Sequence, residues 1–357
     1  MKKKKLFSVL LAFVLLLSIV QVTATATTDN MNFEEMDYSR LDSIIDNAQY
    51  FLNSTGYNNT LDASVPMYNL NEEIEAVYFP LQPTGYLIAS YKNGRVLEFS
   101  PDTQRFTDTS GKLYYNGIME YYKAVDNTKL DQVLSNDLVD REELKSIFDQ
   151  TCLEYIPLYD YQPSTSTYGL EPNNPTPAEY VKWSDSYHCT ITAITNLLEY
   201  YHDFMNADVY AENVDTITSL RRFLKRGGPD AGYVYSTGPL YFNTACRRHN
   251  FDGNIYSGLQ AYFNRNDVDT YTTNVLTEGQ ATVSIAKTQL NAYRRPVVLG
   301  INTDSLRSSR SGLHAVLAYT YMETADTTYF IVNDGWGGNH TYLCADAITW
   351  LNILYLT

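Results

Sequence analysis

The sequence is poor in cysteine, histidine and basic residues, and each shortage excludes a class of protein. Only four cysteines and five histidines occur among 357 residues, and no two cysteines form a Cys-x-x-Cys pair. That count does not support a disulfide-dense scaffold, and that spacing does not support a zinc site. Basic residues number 26 against 41 acidic ones, a net charge of −15. Because so acidic a surface repels phosphate backbones and anionic lipids, we expect neither nucleic acid nor a membrane among the partners of the mature protein.

The longest apolar run lies at the N-terminus. Lys2 to Lys5 precede the mostly apolar residues 6–20, and Ala24 and Ala26 follow in the spacing of a cleavage site. A basic head, a short apolar segment and an Ala-x-Ala exit are typical of a secretory signal peptide, and a membrane span would need about 20 apolar residues. We predict that residues 1–26 are removed and that the protein is secreted.

A proline-rich segment divides the rest of the chain. Residues 162–178 hold four of the twelve prolines and five serines or threonines. Such a composition neither continues a helix nor fills a sheet, so we predict an exposed linker there. The linker would separate an N-terminal module, residues 27–161, from a C-terminal domain, residues 179–357.

The N-terminal module has the patterns of a small α+β fold. Apolar residues at helical spacing predict a helix over 33–52. Alternating runs on either side of Asn93-Gly94 predict a β-hairpin, since Asn-Gly is the strongest short hairpin signal. Residues 130–153 again have helical periodicity. We find no set of residues poised for catalysis in this module.

The C-terminal domain has the pattern of a buried helix followed by paired strands. From Cys189 onward apolar residues recur at helical intervals, and the polar residues 184–186 place the start of the helix near Cys189. Two alternating runs, 314–319 and 329–332, predict neighbouring strands. The turn-prone sequence Asn-Asp-Gly-Trp-Gly-Gly, residues 333–338, follows them.

Three residues of these elements are of the types that nucleophilic catalysis needs. A cysteine attacks as the thiolate, which a helix N-terminus favours. A histidine beside it holds the proton, and an Asp or Asn fixes the histidine ring. Cys189 at a helix start, His314 at the start of a strand and Asp334 at the end of the next supply this set in order. Singly they would be a buried thiol, a core histidine and a turn former; their combination favours catalysis.

The segments around these residues resemble the active-site blocks of papain-like cysteine peptidases. The segments are HCTITAITNLLEYY, GLHAVLAYTY and YFIVNDGWGG, and they are most similar to streptopain and the bacteriocin-leader-processing (double-glycine) peptidases. The resemblance implies an α+β fold whose nucleophile helix packs on an antiparallel sheet, with a Cys189-His314-Asp334 triad, Trp336 as an aromatic shield, and no cofactor or metal. An overlay on streptopain instead favours Asn333 as the orienting residue.

The N-terminal module is similar, through its hairpin, to the inhibitory propeptide of streptopain-type precursors. This resemblance implies a secreted zymogen of a Gram-positive bacterium. In that zymogen the chain's own N-terminal domain is the intramolecular inhibitor, and the substrate is a peptide or protein.

One departure from the papain-like pattern leaves the activity open. These enzymes use a glutamine shortly before the nucleophile as an oxyanion donor, and no glutamine lies between Gln162 and Cys189. Losing one such donor costs about 10²–10³ in turnover. Either Trp183, Ser184 or Ser186 replaces it, or the chain is a non-catalytic binding or adhesion protein on the same frame. The same triad would also serve an amidase or transpeptidase acting on cell-wall peptides.

A disulfide is the structural alternative for Cys189 in an exported protein. Its possible partners are Cys152, Cys246 and Cys344.

Overall fold

A computed structural model gives the fold. It describes residues 36–133, 137–142, 166–169, 193–194, 196–198, 200–201, 259, 263, 271–276, 279–302, 313–335, 340–348 and 350–357. The predicted signal peptide lies outside these residues. Within them, no helix combines the length and the apolar character needed to cross a membrane.

The described part of the N-terminal module begins with helix α1, Tyr38–Thr55. Its buried residues are Leu41, Ile44, Ala48, Phe51 and Leu52. Their spacing of three and four places them on one face, which is why this segment folds as an amphipathic helix against a sheet. The helix predicted over 33–52 is confirmed from Tyr38 onward and continues to Thr55.

Short strands make up the rest of this module. Those described are β1 (Thr60–Leu61), β2 (Val65–Tyr68), β3 (Ile74–Gln82), β4 (Tyr86–Ser90), β5 (Val96–Ser100), β6 (Leu113–Tyr115), β7 (Tyr121–Ala124), β8 (Lys129–Gln132) and β9 (Asp137–Asp140). The predicted hairpin is confirmed as β4 and β5, which pair antiparallel. Between them Gly94 has φ +70°, a conformation that glycine adopts without steric cost.

Residues 129–140 contain strands where the periodicity predicts a helix. β8 pairs with β7 on one side and with β9 on the other. Leu130 is fully buried in a cluster with Tyr122 and Tyr114. Burial against these aromatic rings and pairing on both edges outweigh the local helical pattern, since strand formation depends mainly on such tertiary context. The helix predicted over 130–153 is therefore wrong for the strand residues 130–132 and 137–140, whereas residues 141–142 are in helix. Residues 134–136 and 143–153 lie outside the described residues.

The described residues of the C-terminal part lie mainly in longer strands. They are β10 (Ser166–Gly169), β11 (Thr273–Leu276), β12 (Val297–Asn302), β13 (Leu313–Glu323), β14 (Thr328–Asn333), β15 (Thr341–Cys344) and β16 (Trp350–Leu356). Helix α2, Val283–Asn291, precedes β12, and Thr282 caps its first turn by accepting a hydrogen bond from the backbone of Ile285. The strand pair predicted from 314–319 and 329–332 is confirmed, because β13 and β14 pair antiparallel.

Part of the predicted linker lies in the sheet. β10 pairs antiparallel with β13, from Ser166 opposite Glu323 to Gly169 opposite Thr320. These four residues contain no proline, so each keeps the backbone N–H that a ladder requires, while Pro163 and Pro172 lie outside them. The expectation that the segment cannot join a sheet is wrong for 166–169.

The strands of both parts form one continuous sheet. The C-terminal strands run in the order β11-β16-β12-β13-β14-β15, and the N-terminal strands continue as β5-β4-β3-β2-β6-β7-β8-β9. Apart from the parallel pair β2–β6, neighbours along this path are antiparallel. The junction is the pairing of β5 with β15. One apolar cluster extends across it, from Tyr78 and Ile88 to Val332 and Ile353. A mixed sheet with so few described helices is compatible with an α+β papain-like fold.

Candidate active site

His314 lies near the start of β13, where the strand pairs with β12. It faces Ile301 across the ladder and is 7% exposed. Its Nε2 atom is 3.1 Å from the main-chain oxygen of Asp334. In the tautomer that carries a proton on Nε2, the ring donates to this carbonyl, and Nδ1 is then the nitrogen that can accept a proton.

Asp334 follows the last residue of β14 and is completely buried. Its Oδ2 atom forms an ion pair with Arg105 and accepts a hydrogen bond of 3.0 Å from the Thr341 hydroxyl. Charge and hydrogen bonding compensate the loss of water around the carboxylate. The residue is therefore fixed through its side chain while its carbonyl contacts His314.

Asn333, the alternative orienting residue, has different partners. Its Oδ1 atom accepts from the Asn196 amide at 3.2 Å and from the Gly335 backbone at 2.9 Å. Asn196 and Asn333 are both buried. This contact joins the end of β14 to the segment that the sequence predicts as the nucleophile helix.

The described residues of that segment are helical and buried. Residues 193–194, 196–198 and 200–201 are in helix, and Ile194, Leu197 and Leu198 are almost inaccessible to solvent. The Tyr201 hydroxyl donates to the main-chain oxygen of Leu356 at 3.0 Å, which ties the helix to β16. The predicted buried helix is therefore confirmed at these residues, and it packs on the sheet.

The predicted nucleophile lies outside the described residues. So do Trp336 and the candidate oxyanion donors Trp183, Ser184 and Ser186. The structure therefore brings together His314, Asp334 and Asn333 from the predicted set, and the helix that follows Cys189 reaches the same place through Asn196.

Arg105 is the residue of this site that the sequence does not reveal. It lies between β5 and β6 in the N-terminal module, its side chain is 2% exposed, and its guanidinium carbon lies 5.0 Å from the centre of the Tyr86 ring. Burial would lower the pKa of Arg105, but the neighbouring Asp334 carboxylate raises it well above its usual range. A single arginine in a polar loop has no pattern that would mark it, because its partner is 229 positions away.

Glu98, like Asp334, is a buried acidic residue close to Arg105. It accepts hydrogen bonds from the Tyr121, Tyr86 and Tyr115 hydroxyls and from the Met119 backbone. Burial raises the pKa of Glu98 to about 7, although the Tyr121 and Met119 hydrogen bonds and the Arg105 charge act in the opposite direction. The Tyr86 hydroxyl contacts Glu98 while its ring contacts Arg105, so one aromatic side chain joins the two charged residues.

The cysteine that the structure describes is not part of a bridge. Cys344 is a free, fully buried thiol, and burial raises its pKa. It is therefore not the disulfide partner of Cys189. Cys152 and Cys246 lie outside the described residues. Within the described ranges, no three His, Cys, Asp or Glu side chains cluster as metal ligands do.

A histidine on one strand, an acid at the end of the next and a buried helix packed on the same sheet agree with the arrangement that the resemblance to papain-like cysteine peptidases implies. The model of the Peptidase_C39-like family matches residues 176–354. The match covers half of the chain and includes all three active-site segments. The chain belongs to the Peptidase_C39-like family. A comparison with curated proteins finds no match.

Proposed function

We propose that this protein is a secreted cysteine peptidase that uses Cys189 as nucleophile, His314 as acid and base, and Asp334 as the residue that orients the histidine. The observation that carries the proposal is the contact of 3.1 Å between His314 Nε2 and the Asp334 main-chain oxygen. The family match to cysteine peptidases supports the reaction type. The Asn196–Asn333 hydrogen bond supports a nucleophile helix seated beside this pair.

The proposed reaction proceeds through a thioester. The Cys189 thiolate attacks the peptide carbonyl, and the Cys189 N–H donates to the oxyanion that forms. The C–N bond then breaks as His314 gives its proton to the leaving amine. A water molecule, deprotonated by His314, attacks the thioester, and the carboxylic acid leaves as the thiolate is restored. A second oxyanion donor would come from Trp183, Ser184 or Ser186.

We prefer Asp334 to Asn333 as the residue that orients His314, because the two residues have different hydrogen-bond partners. The Asn333 amide oxygen is already occupied by Asn196 and by the Gly335 backbone. The His314 ring contacts Asp334. The proposed orienting interaction therefore involves Asp334, and Asn333 connects the helix to the strand.

We further propose that the exported chain is a precursor, inactive until it is cut within residues 162–178. Until then its N-terminal module acts as the intramolecular inhibitor. If so, incubation of the purified precursor yields a C-terminal fragment that begins within 162–180, and Cys189→Ala prevents its appearance. A precursor that stays whole while it hydrolyses peptides would overturn the zymogen and leave the peptidase.

The peptidase is tested in the chain cut within 162–178, by the reactivity of the Cys189 thiol toward an epoxide, followed by mass mapping. At pH 6 a free thiol is ionised to only about 0.3%, whereas one paired with imidazolium is almost fully ionised. We therefore expect His314→Ala to slow labelling roughly 100-fold. Asp334→Ala keeps the main-chain oxygen that contacts His314 but removes the carboxylate that Arg105 and Thr341 hold in place. It should therefore slow labelling more than Asn333→Ala, and circular dichroism checks that each variant is folded.

The competing function is a non-catalytic binding protein on the same frame. The absence of a glutamine between Gln162 and Cys189 is the observation that favours it. In that case labelling of Cys189 is slow in the cut wild-type chain and indifferent to His314→Ala, and this result would rule out the peptidase. An amidase or transpeptidase of cell-wall peptides would share the labelling result and differ in its substrates.

A further inference from the structure

A strand of the N-terminal module pairs with a strand of the C-terminal domain. If the module were released after a cut in the linker, this pairing would have to break. β5 pairs antiparallel with β15, with Tyr342 opposite Phe99 and Leu343 opposite Glu98. Release of the module would leave an edge of β15 with unpaired backbone groups. It would also expose Leu343, which is now completely buried.

Side chains reinforce this junction on both sides of the pairing. The Tyr329 hydroxyl donates to the main-chain oxygen of Val96 at 2.9 Å. Arg95 forms an ion pair of 2.7 Å with Asp346. The ring of Phe51 on α1 lies 5.0 Å from that of Tyr329. The two parts thus meet as neighbouring elements of one core.

The same junction places Arg105, a residue of the N-terminal module, beside Asp334 in the candidate active site. Its guanidinium is paired with the buried Asp334 carboxylate, whose second recorded donor is Thr341. The Nε atom of Arg105 is buried with no hydrogen-bond partner in the structure. The Asp334 carboxylate and the Tyr86 ring both hold the Arg105 side chain in place.

Fixing the carboxylate of Asp334 also fixes its carbonyl, because both belong to one residue at the end of a strand. That carbonyl is the atom 3.1 Å from His314 Nε2. A shift of Asp334 would therefore move the hydrogen bond that sets the histidine ring, and misplacement by about 1 Å is enough to cost roughly 10²-fold in rate.

We propose that Arg105 is a positioning residue of the active site and that the N-terminal module, after any cut in 162–178, stays bound as a permanent part of the enzyme. This inference rests on the proposed peptidase function. The N-terminal module then has a role beyond inhibition, because it supplies the Arg105 guanidinium that pairs with the Asp334 carboxylate.

The first test compares two buried arginines at the junction. Arg105→Met removes the partner of Asp334, whereas Arg95→Met removes an ion pair of the same junction that does not touch Asp334. The readout is the pH profile of epoxide labelling at Cys189 in the full-length protein after its cut within 162–178, with both fragments present. We expect Arg105→Met to lower the rate about 10–100-fold and to displace the acid limb of the profile. Arg95→Met should stay within about twofold, and Arg105→Lys should recover part of the loss because it restores a cation.

The second test needs no arginine variant, so it remains decisive if Arg105→Met does not fold. A specific protease site placed within 171–178 allows the chain to be cut after purification. The two fragments should then elute together in native gel filtration and separate only in denaturant. A C-terminal fragment that elutes alone and keeps the full labelling rate would overturn the inference.

Equal pH profiles for Arg105→Met and Arg95→Met would also overturn the positioning role. Failure of the peptidase itself has a different signature, which is wild-type labelling that does not depend on His314. Co-elution of the fragments is then unaffected, so the two failures can be told apart.

Discussion

Replacing Glu98 by glutamine should remove the contribution of one buried acid to the pH dependence of stability. Glu98 is completely inaccessible, and burial raises its pKa from the ordinary 4.5 to about 7. The three tyrosine hydroxyls and the Met119 backbone that donate to Glu98 stabilise its ionised form. They do not fully replace the hydration free energy that the carboxylate loses on burial. The ionised carboxylate of Glu98 is therefore less stable in the folded protein than in the unfolded chain, where water solvates it.

The sign follows from which state holds the proton. Below about pH 4.5 Glu98 is protonated in both states and imposes no penalty. As the pH rises from about 4.5 to 7, the unfolded chain loses this proton first, so stability falls; above about pH 7 the penalty is constant. Because a tenfold change in proton affinity is worth about 1.4 kcal/mol, raising the pKa of Glu98 from 4.5 to about 7 corresponds to a penalty of roughly 3 kcal/mol.

Urea unfolding at a series of pH values measures this penalty. We expect Glu98→Gln to gain about 3 kcal/mol relative to wild type between pH 4.5 and 8, since the amide keeps an acceptor for the tyrosine hydroxyls and carries no charge. Subtracting the two curves cancels the contributions of all other acids. Tyr121→Phe, which removes one donor to the carboxylate, should extend the wild-type decline to higher pH. A difference between wild type and Glu98→Gln that does not change with pH would refute the reasoning.

Two further predictions concern other described contacts. Asn196→Ala should cost about 1–3 kcal/mol in urea unfolding and slow the labelling of Cys189, because it removes the buried hydrogen bond that joins the helix to Asn333. The matched control is Asn274→Ala, whose partly buried side chain donates to Thr272 and Thr357 near the surface. Equal losses in the two variants would contradict the role of Asn196. Cys344 should resist iodoacetamide in the native chain and react in denaturant, because burial both covers the thiol and raises its pKa. Mass mapping measures the rate of modification in each condition. Equal rates would show that the thiol is accessible in the native chain and would contradict the prediction.

Local patterns predicted the elements that carry their own signal. The Asn93-Gly94 turn and its flanking alternation identified β4 and β5, and the helical spacing identified α1. The alternation of 314–319 and 329–332 identified two antiparallel neighbours. Because the first begins at His314 and the second ends beside Asp334, the sequence also predicted that these two residues meet.

Tertiary contacts decided the elements whose local signal was weak or misleading. Residues 129–140 have helical spacing, but Leu130 is buried among tyrosines of β6 and β7 and the backbone pairs with two neighbouring strands. Ser166–Gly169 lie in a proline-rich stretch and nevertheless pair with β13. In both cases the free energy comes from partners distant in sequence, which no window of a few residues contains.

The sequence by itself specified the residues of the proposed site: a histidine at the start of one strand, an acid at the end of the next, and a cysteine before a buried helix. Only the tertiary structure decided what surrounds that acid, since Arg105 reaches Asp334 across 229 positions through the pairing of β5 with β15. The physical reason is that a reactive residue type and its strand are specified locally. The charge that compensates a buried carboxylate is instead supplied by whichever element the sheet places beside it.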